Sequence, residues 1–395
     1  MERPREGSYL MNNFICHNPT RIIFGKGMES ETGAQAALLG KKALLHYGGG
    51  SIKKNGVYDK VTASLKEAGV SFVEMGGVQP NPRLSLVREG IALCKKEGID
   101  MILAVGGGSV IDSAKAIASG VLCGGDIWEY FTDATKVIER ALPIGVVLTI
   151  PAAGSESSSS CVITNEDGWY KRGCGSTAFI PRFAVINPET NFTLPPFQTA
   201  CGCVDIMAHL MERYFTKVEN VDLSDRLIEA SLRTMLNFAP RAIRNPLDYD
   251  VRAEINWTGT LAHNNLLDRG RIGDWGSHQI EHELSAIYDI AHGAGLAVVF
   301  PAWMRYAYKN HKSRFVQFAV RVMDVDLSFD NQDRIIEEGI RRLESFFQSL
   351  GLATRLSQLD IGDDRLREMA DKCRSAGNVL KLTPDDVYEI YKLAL

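Results

Sequence analysis

Short apolar runs alternate with amphipathic stretches through the first half of the chain. The pattern predicts strands over residues 42–47, 71–74, 101–105, 146–150 and 161–164, and helices after Gly56 and over residues 84–96 and 109–118. Residues 14–15 and 22–24 are expected to form a hairpin around Asn18 and Pro19. Strands that alternate with helices indicate right-handed crossovers and a mostly parallel sheet.

After Pro196 the periodicity becomes helical. Apolar positions predict helices over residues 197–215, 223–238, 250–267, 276–285 and 294–308, and amphipathic segments continue to Leu395. The predicted fold class is therefore α/β plus all-α, with an extension at residues 1–10, an α/β domain at 11–193 and an all-helical domain at 194–395. A chain of 395 residues is long for a single core, which agrees with two domains.

Two glycine loops follow predicted strands and are candidates for phosphate binding. They comprise Gly48, Gly49, Gly50 and Ser51, and then Gly106, Gly107, Gly108 and Ser109, with Asp112 in the first turn of the next helix. Glycines let the backbone approach a pyrophosphate, and a helix N-terminus stabilises its charge. A tight turn would explain either loop alone, but two loops at one carboxyl sheet edge suit a dinucleotide.

The residues after the first loop bear on which dinucleotide binds. No acid lies between residues 48 and 56 to bind a ribose 2′-hydroxyl, whereas Ser51, Lys53 and Lys54 favour or permit a 2′-phosphate. The expected cofactor is therefore NADP or, alternatively, NAD. A third loop, residues 149–156, also follows a strand, but by itself it indicates no more than a surface turn.

Four residues form the strongest candidate for a metal site: Asp205, His209, His278 and His292. Asp205 and His209 are four residues apart, so they project from one face of a helix. A local hydrogen bond would explain that pair, but two more histidines lie on neighbouring predicted helices. One carboxylate and three imidazoles suit a divalent transition metal such as Fe²⁺, Zn²⁺ or Mn²⁺.

A second motif overlaps this set. Residues 278–282 read His-Gln-Ile-Glu-His, which matches the H-x-x-E-H pattern of some zinc peptidases. A metallopeptidase is therefore an alternative, although it has no need of two glycine loops on a parallel sheet. In the preferred interpretation His282, one turn after His278, faces the same cleft and relays a proton.

Composition and charge exclude several other classes. The net charge is −4 without a basic stripe, so we expect neither nucleic acid nor a membrane surface as a partner. No apolar run approaches the roughly 18 residues of a spanning helix, and the first 11 residues lack a signal-peptide core. Eight scattered cysteines predict reduced thiols and a cytoplasmic protein.

The combined motifs resemble the iron-containing (group III) alcohol dehydrogenases, most of all the branch of butanol dehydrogenases and broad aldehyde reductases. The motifs are Gly106-Gly107-Gly108-Ser109-x-x-Asp112-x-x-Lys115, Asp205-x3-His209 and His278-x3-His282-x9-His292. The resemblance covers about residues 11–395. It implies a dehydroquinate-synthase-like fold with a nucleotide-binding domain and a helical metal-binding domain. It also implies a homodimer, with Fe²⁺ as the first choice of metal at the four candidate ligands.

The resemblance further implies positions for the cofactor. The pyrophosphate would lie at residues 106–109, Thr149 near the adenine or its sugar, Ser155 and Ser158 on the nicotinamide side, and Lys171 near the ribose phosphate. This chain has Ala153 and Ser158 where the usual members carry Thr and Asn.

The implied reaction is hydride transfer between NAD(P)H and an aliphatic aldehyde or primary alcohol. The metal would act as a Lewis acid on the substrate oxygen, and the proton would move through the ribose hydroxyls or His282. Two further alternatives are another polyol dehydrogenase, such as a glycerol dehydrogenase, and a nucleotide-binding sensor without catalysis.

Overall fold

The computed structural model describes residues 10–328, 331–374 and 377–395. The predicted extension at residues 1–10 lies outside the described residues except for Leu10. Contacts divide the chain into two compact units, each built from more than one segment. We call them the sheet unit, which contains His17–Thr199 and Arg244–Asn264, and the helical unit, which contains Ala200–Ile243, Asn265–Leu395 and the described residues up to Cys16.

The sheet unit is built on a six-stranded parallel sheet. Its strands are β1 (Arg21–Phe24), β2 (Lys42–Tyr47), β3 (Ser71–Met75), β4 (Met101–Gly106), β5 (Ile144–Leu148) and β8 (Phe183–Ile186). They lie in the order β1-β8-β5-β4-β2-β3. The remaining strands, β6 (Ser160–Asn165) and β7 (Tyr170–Gly175), pair with each other as an antiparallel hairpin.

Helices accompany the strands along the sheet unit. They are α1 (Thr32–Ala37), α2 (Ser51–Lys54), α3 (Val57–Glu67), α4 (Leu84–Glu97), α5 (Gly108–Leu122) and α6 (Glu129–Thr132), with α9 (Tyr249–His263) from the second half of the chain. Neighbouring residues of one strand point to opposite faces. Leu44 therefore packs in one buried cluster with Ile111 of α5, and Leu45 packs in another with Val61 of α3.

The helical unit is built from the remaining helices. They are α7 (Pro196–Tyr214), α8 (Asp222–Arg244), α10 (Gly276–Tyr288), α11 (His292–Ala307), α12 (Lys312–Arg321), α13 (Gln332–Ser349), α14 (Leu366–Lys372) and α15 (Pro384–Ala394). The parallel sheet and the helical second half predicted from sequence are therefore confirmed. Within the described ranges, no helix is both long and apolar enough to cross a membrane.

The predicted hairpin around Asn18 and Pro19 was wrong, whereas the strand predicted at residues 161–164 is confirmed. Residues 14–15 form no strand, and β1 pairs in parallel with β8 rather than in a local hairpin. The strand predicted at residues 161–164 exists as β6, but it lies in the separate hairpin and not in the main sheet. In both cases the partner strand, β8 or β7, was not predicted.

His46 is a fully buried titratable residue of the central strand β2. Its Nδ1 donates to the main-chain oxygen of Met75 at 2.9 Å, and its Nε2 accepts from Ser113 Oγ at 2.9 Å. Burial lowers the pKa of His46 to about 4, although the bond to Met75 opposes this. The ring is therefore neutral in the folded protein.

We expect His46 to make the protein less stable in acid. Its pKa is about 4 when folded and about 6.5 when unfolded, so the unfolded chain binds more protons between these values and stability falls as the pH falls through this window. The shift corresponds to about 3 kcal/mol. Calorimetry should show the melting-temperature difference between wild type and His46→Asn shrinking from neutral pH to about pH 4. A difference that stays constant with pH would contradict this prediction.

Candidate active site

The four predicted metal ligands come together in the helical unit. Asp205 and His209 lie on α7, His278 lies in the first turn of α10, and His292 begins α11. Ligand-type atoms of the first three lie within 4.8 Å of one another, and all three residues are buried. His292 groups with Glu281 and His282 by the same measure, but its Nε2 lies only 3.9 Å from Asp205 Oδ1.

Each of the three imidazoles has its Nδ1 engaged by an oxygen acceptor. His209 Nδ1 donates to the main-chain oxygen of Asp205 at 2.9 Å, and His278 Nδ1 donates to Glu212 Oε1 at 2.7 Å. His292 Nδ1 donates to Glu281 Oε2. These bonds place a proton on Nδ1 of every ring, which leaves Nε2 as the electron-pair donor in the neutral form of the ring.

Among the residues that the structure describes, two buried polar atoms of these four residues have no hydrogen-bond partner: Asp205 Oδ1 and His278 Nε2. Asp205 Oδ1 lies 3.0 Å from His209 Nδ1, but that N–H is directed to the main-chain oxygen of Asp205 instead. Unpartnered polar atoms in a protein interior cost free energy. A cation between Asp205 and the imidazoles would compensate that cost, so the donor set fits a divalent transition metal.

The protonation states also suit a metal. Burial alone raises the pKa of Asp205, but the charges of His209, His292 and His278, together with contact to His209, outweigh burial and hold it well below its usual range. Burial lowers the pKa of His278 well below its ordinary value, and the charges of His209 and His292 lower it further. An ionised carboxylate and a neutral imidazole are the forms that bind metal.

A close helix contact places His292 at this cluster. A Cβ on Gly293 would lie 2.0 Å from the main-chain oxygen of Cys201, so only glycine lets the start of α11 approach α7 here. At the start of α10, Trp275 adopts a left-handed φ of 65°, which turns the chain into the helix that carries His278.

His282 lies beside His292, with ring centroids 5.6 Å apart, and is buried. In an H-x-x-E-H peptidase, both histidines bind one zinc and the glutamate activates water. Here His278 and His282 fall in different ligand groups, and the Glu281 carboxylate accepts from His292 Nδ1. The geometry therefore does not favour the peptidase alternative.

The two glycine loops lie side by side in the sheet unit. β2 and β4 are neighbours with Tyr47 paired to Val105, so the loops that follow leave from adjacent carboxyl ends. The chain runs outward from β2 to β3 and then returns to β4 on the other side. This reversal of strand order is the switch point at which open α/β sheets bind nucleotides.

The glycines of these loops are present for different reasons. A Cβ on Gly106 would lie 2.5 Å from Val110 Cγ2, so packing requires glycine there. Gly50 has a φ of 94°, which favours glycine on conformational grounds. A Cβ on Gly49 would meet no atom within 4 Å, so neither packing nor a positive φ explains this glycine. Open space beside Gly49 leaves room for a ligand.

A buried ammonium group, Lys115 Nζ, organises the other predicted cofactor residues. It donates to Ser155 Oγ at 2.8 Å, to the main-chain oxygens of Ser158 and Ser160 at 3.0 and 2.8 Å, and to Ser158 Oγ at 3.2 Å. Asp112 Oδ1 accepts from Ser155 Oγ at 2.6 Å. Asp112, Ser155 and Ser158 therefore join α5 to the segment after β5, and their contact with a cofactor stays a prediction.

Thr149 and Lys171 are also buried in the sheet unit. The main-chain oxygen of Thr149 accepts from Asn191 Nδ2 at 2.8 Å, and Lys171 Nζ, on β7, donates to Asn81 Oδ1 at 3.0 Å. Two carboxylates engage the imidazoles: the sequence analysis considered Glu281 only as the glutamate of the peptidase motif, and it missed Glu212. The position of Glu212 three residues after His209, on the same helix face, was the signal that could have found it.

Comparisons with known proteins agree with this architecture. The model of the iron-containing alcohol dehydrogenase family matches residues 19–188, and the model of the C-terminal domain of the same family matches residues 199–395. The chain belongs to the iron-containing alcohol dehydrogenase family. It is accordingly an enzyme, an oxidoreductase of alcohols and aldehydes with the fold class predicted above.

Individual relatives narrow the branch. The chain is 45% identical over 391 residues to a probable NADH-dependent butanol dehydrogenase 2 of Bacillus subtilis, covering 98% of this chain and 100% of the relative. It is 37% identical to the NADPH-dependent aldehyde reductase YqhD of Escherichia coli, covering 93% and 94% of the two chains. The crystal structure of NADH-dependent butanol dehydrogenase A from Thermotoga maritima has a TM-score of 0.93 and 42% identity, covering 98% and 99%. These relatives favour neither the peptidase nor the polyol dehydrogenase alternative.

Proposed function

We propose that the protein is a metal-dependent, NAD(P)H-dependent reductase of short aliphatic aldehydes such as butanal, which also oxidises the corresponding primary alcohols. The observation that carries the proposal is the pair of buried, unpartnered atoms, Asp205 Oδ1 and His278 Nε2, beside the imidazoles of His209 and His292. These four residues would hold the metal, with Fe²⁺ as the first candidate and Zn²⁺ or Mn²⁺ as alternatives. The family and the activities for which its relatives are named support this choice.

The bound metal would supply Lewis acidity, which polarises a carbonyl oxygen and stabilises an alkoxide. Asp205 supplies the negative charge of the ligand set, while Glu212 and Glu281 hold the rings of His278 and His292. His282 lies beside these ligands as the candidate that relays a proton to or from the substrate oxygen.

The cofactor would bind at the paired glycine loops of the sheet unit. Main-chain N–H groups at residues 48–51 and 106–109 would bind its phosphates, and α5 would present its N-terminus to the pyrophosphate. Asp112, Thr149, Ser155, Ser158 and Lys171 would shape the surroundings. One relative is named as NADH-dependent and another as NADPH-dependent, and Lys53, which could bind a 2′-phosphate, already pairs with Glu74 at 3.0 Å. Comparing the two cofactors with butanal would identify the preferred one.

Removing the metal or the Asp205 carboxylate should abolish turnover. Loss of the Lewis acid removes several kcal/mol of transition-state stabilisation, so we expect kcat/KM for butanal to fall on the order of 10³-fold in Asp205→Asn. Oxidation of NADPH or NADH, followed by its absorbance, measures this. Asp363→Asn, an exposed substitution in the same unit, should behave as wild type. Full activity after exhaustive chelation would refute the proposed role of the metal.

Filling the space beside Gly49 should weaken cofactor binding without weakening the fold. We expect Gly49→Val to raise the KM for NAD(P)H about tenfold, which corresponds to about 1.4 kcal/mol of lost binding. The control is Gly124→Val, which also has no atom within 4 Å of its Cβ but follows the opposite end of α5 from the loop. If Gly49→Val and Gly124→Val had the same melting temperature and the same KM for NAD(P)H, the nucleotide would not bind at this loop.

The protein is further proposed to be a cytoplasmic homodimer. Outside its pairing with β8, the edge strand β1 has no strand partner among the described residues, and Met11, Phe14 and Ile15 expose apolar surface. An unpaired edge strand and exposed apolar side chains are features of an interface. Light scattering should give about twice 43.6 kDa, and a monomer mass would overturn the dimer.

All eight cysteines are free thiols, which supports a reducing compartment that cell fractionation would identify.

A further inference from the structure

Glu212 lies one turn after His209 on α7, and its side chain is buried with 1% of its surface exposed. We propose that Glu212 is a positioning residue that holds the His278 ring in the one orientation and tautomer that can bind the metal. The inference rests on the metal site proposed above. It assigns a task to a residue outside the four ligands.

Four donors converge on the Glu212 carboxylate. Oε1 accepts from His278 Nδ1 at 2.7 Å and from the main-chain N–H of His278 at 3.2 Å, and it also accepts from Ser277 Oγ. Oε2 accepts from the main-chain N–H of Trp275 at 2.5 Å. A single carboxylate therefore binds both the ring and the backbone of His278.

These bonds complete the capping of the first turn of α10. The side chain of the N-cap residue, Trp275, makes no capping bond, and Asp274 Oδ2 accepts from the N–H of Gly276 at 3.0 Å, so the main-chain N–H groups of Trp275 and His278 need other acceptors. Glu212 provides them from α7, and its main-chain oxygen also accepts from the N–H of Asp274 at 2.8 Å. A carboxylate near a helix N-terminus is stabilised by the helix dipole. Glu212 thereby joins the helix of Asp205 and His209 to the helix of His278.

The consequence for the His278 ring is chemical. A neutral imidazole can carry its proton on either nitrogen, and a carboxylate at Nδ1 keeps the proton there. His278 Nε2 is then left with its lone pair, buried and without a hydrogen-bond partner among the described residues, on a ring that offers a ligand atom within 4.8 Å of those of Asp205 and His209. The negative charge also makes Nε2 a better electron-pair donor. Glu281 engages Nδ1 of His292 in the same way, so the arrangement occurs twice in this site.

Zinc affinity of the full-length chain tests the inference. In metal-free protein titrated with Zn²⁺ against a competing chelator, Glu212→Gln should bind about 10–100-fold more weakly than wild type. The reason is that an amide has one acceptor oxygen, and its NH₂ group would face either His278 Nδ1–H or the Trp275 N–H. Glu212→Asp, which keeps the charge but withdraws it from the ring, should also bind more weakly.

Two matched variants separate positioning from general support of the fold. Ser277→Ala removes a donor to the same carboxylate and perturbs the same helix start, yet leaves the bond to the ring, so its zinc affinity should stay within about threefold of wild type. Glu219→Gln, an exposed change after α7, should match wild type. An affinity in Ser277→Ala that falls as far as in Glu212→Gln would overturn the inference, as would an unchanged affinity in Glu212→Gln.

A second readout needs no metal. Histidine side-chain ¹⁵N NMR of the metal-free wild type should show His278 with its proton on Nδ1, and Glu212→Gln should show a mixture of tautomers. A wild-type ring protonated on Nε2 would refute the inference even if the variants fail to fold. A failure of the proposed metal site would look different. In that case wild type and Asp205→Asn would bind zinc equally, whatever the effect of the Glu212 variants.

Discussion

The helical unit depends on the burial of one carboxylate, that of Asp205, among three imidazoles. An ionised group in a protein interior is stable only when opposite charge or hydrogen bonds compensate for lost hydration. The neighbouring rings supply part of this compensation, because they outweigh burial and hold the pKa of Asp205 well below its usual range. Their Nδ1 atoms are directed to other acceptors, so the Nε2 atoms and the carboxylate stay available to a cation. Helices α7, α10 and α11 must pack closely to keep this arrangement, which explains why Gly293 has no room for a side chain.

The sheet unit solves a different problem, the approach of a polyanion to the backbone. Its strand order reverses between β2 and β4, and this reversal opens a crevice at the carboxyl ends of two neighbouring strands. Glycines in the loops after β2 and β4 keep that crevice free of side chains. Lys115 of α5 holds the segment after β5 through hydrogen bonds to Ser155, Ser158 and Ser160. The buried ammonium is compensated by serine and main-chain oxygens and by the nearby charge of Asp112.

Much of this site could be predicted from sequence because it depends on the spacing of residues within single elements. Asp205 and His209 share a helix face through the helical repeat, and the glycine loops follow apolar runs that could only be buried strands. What the sequence could not reveal depends on pairing between distant segments. β1 pairs with β8 about 160 residues later, and no local pattern distinguishes this from a hairpin. The pairing of β6 with β7 and the packing of α9 in the sheet unit were not predicted for the same reason. Glu212 was missed because a buried glutamate on a helix is unremarkable until the acceptor needs of another helix are known.

The proposed ligands are contributed by three helices that are far apart in sequence. An ion bound only by the folded chain adds its binding free energy to folding, in proportion to the logarithm of its free concentration. The stability of the helical unit is then not a property of the chain alone but is shared with the metal supply of the cell. In a metal-starved cell the same gene product would open more often and be degraded sooner, so protein abundance, and not only specific activity, would follow the metal.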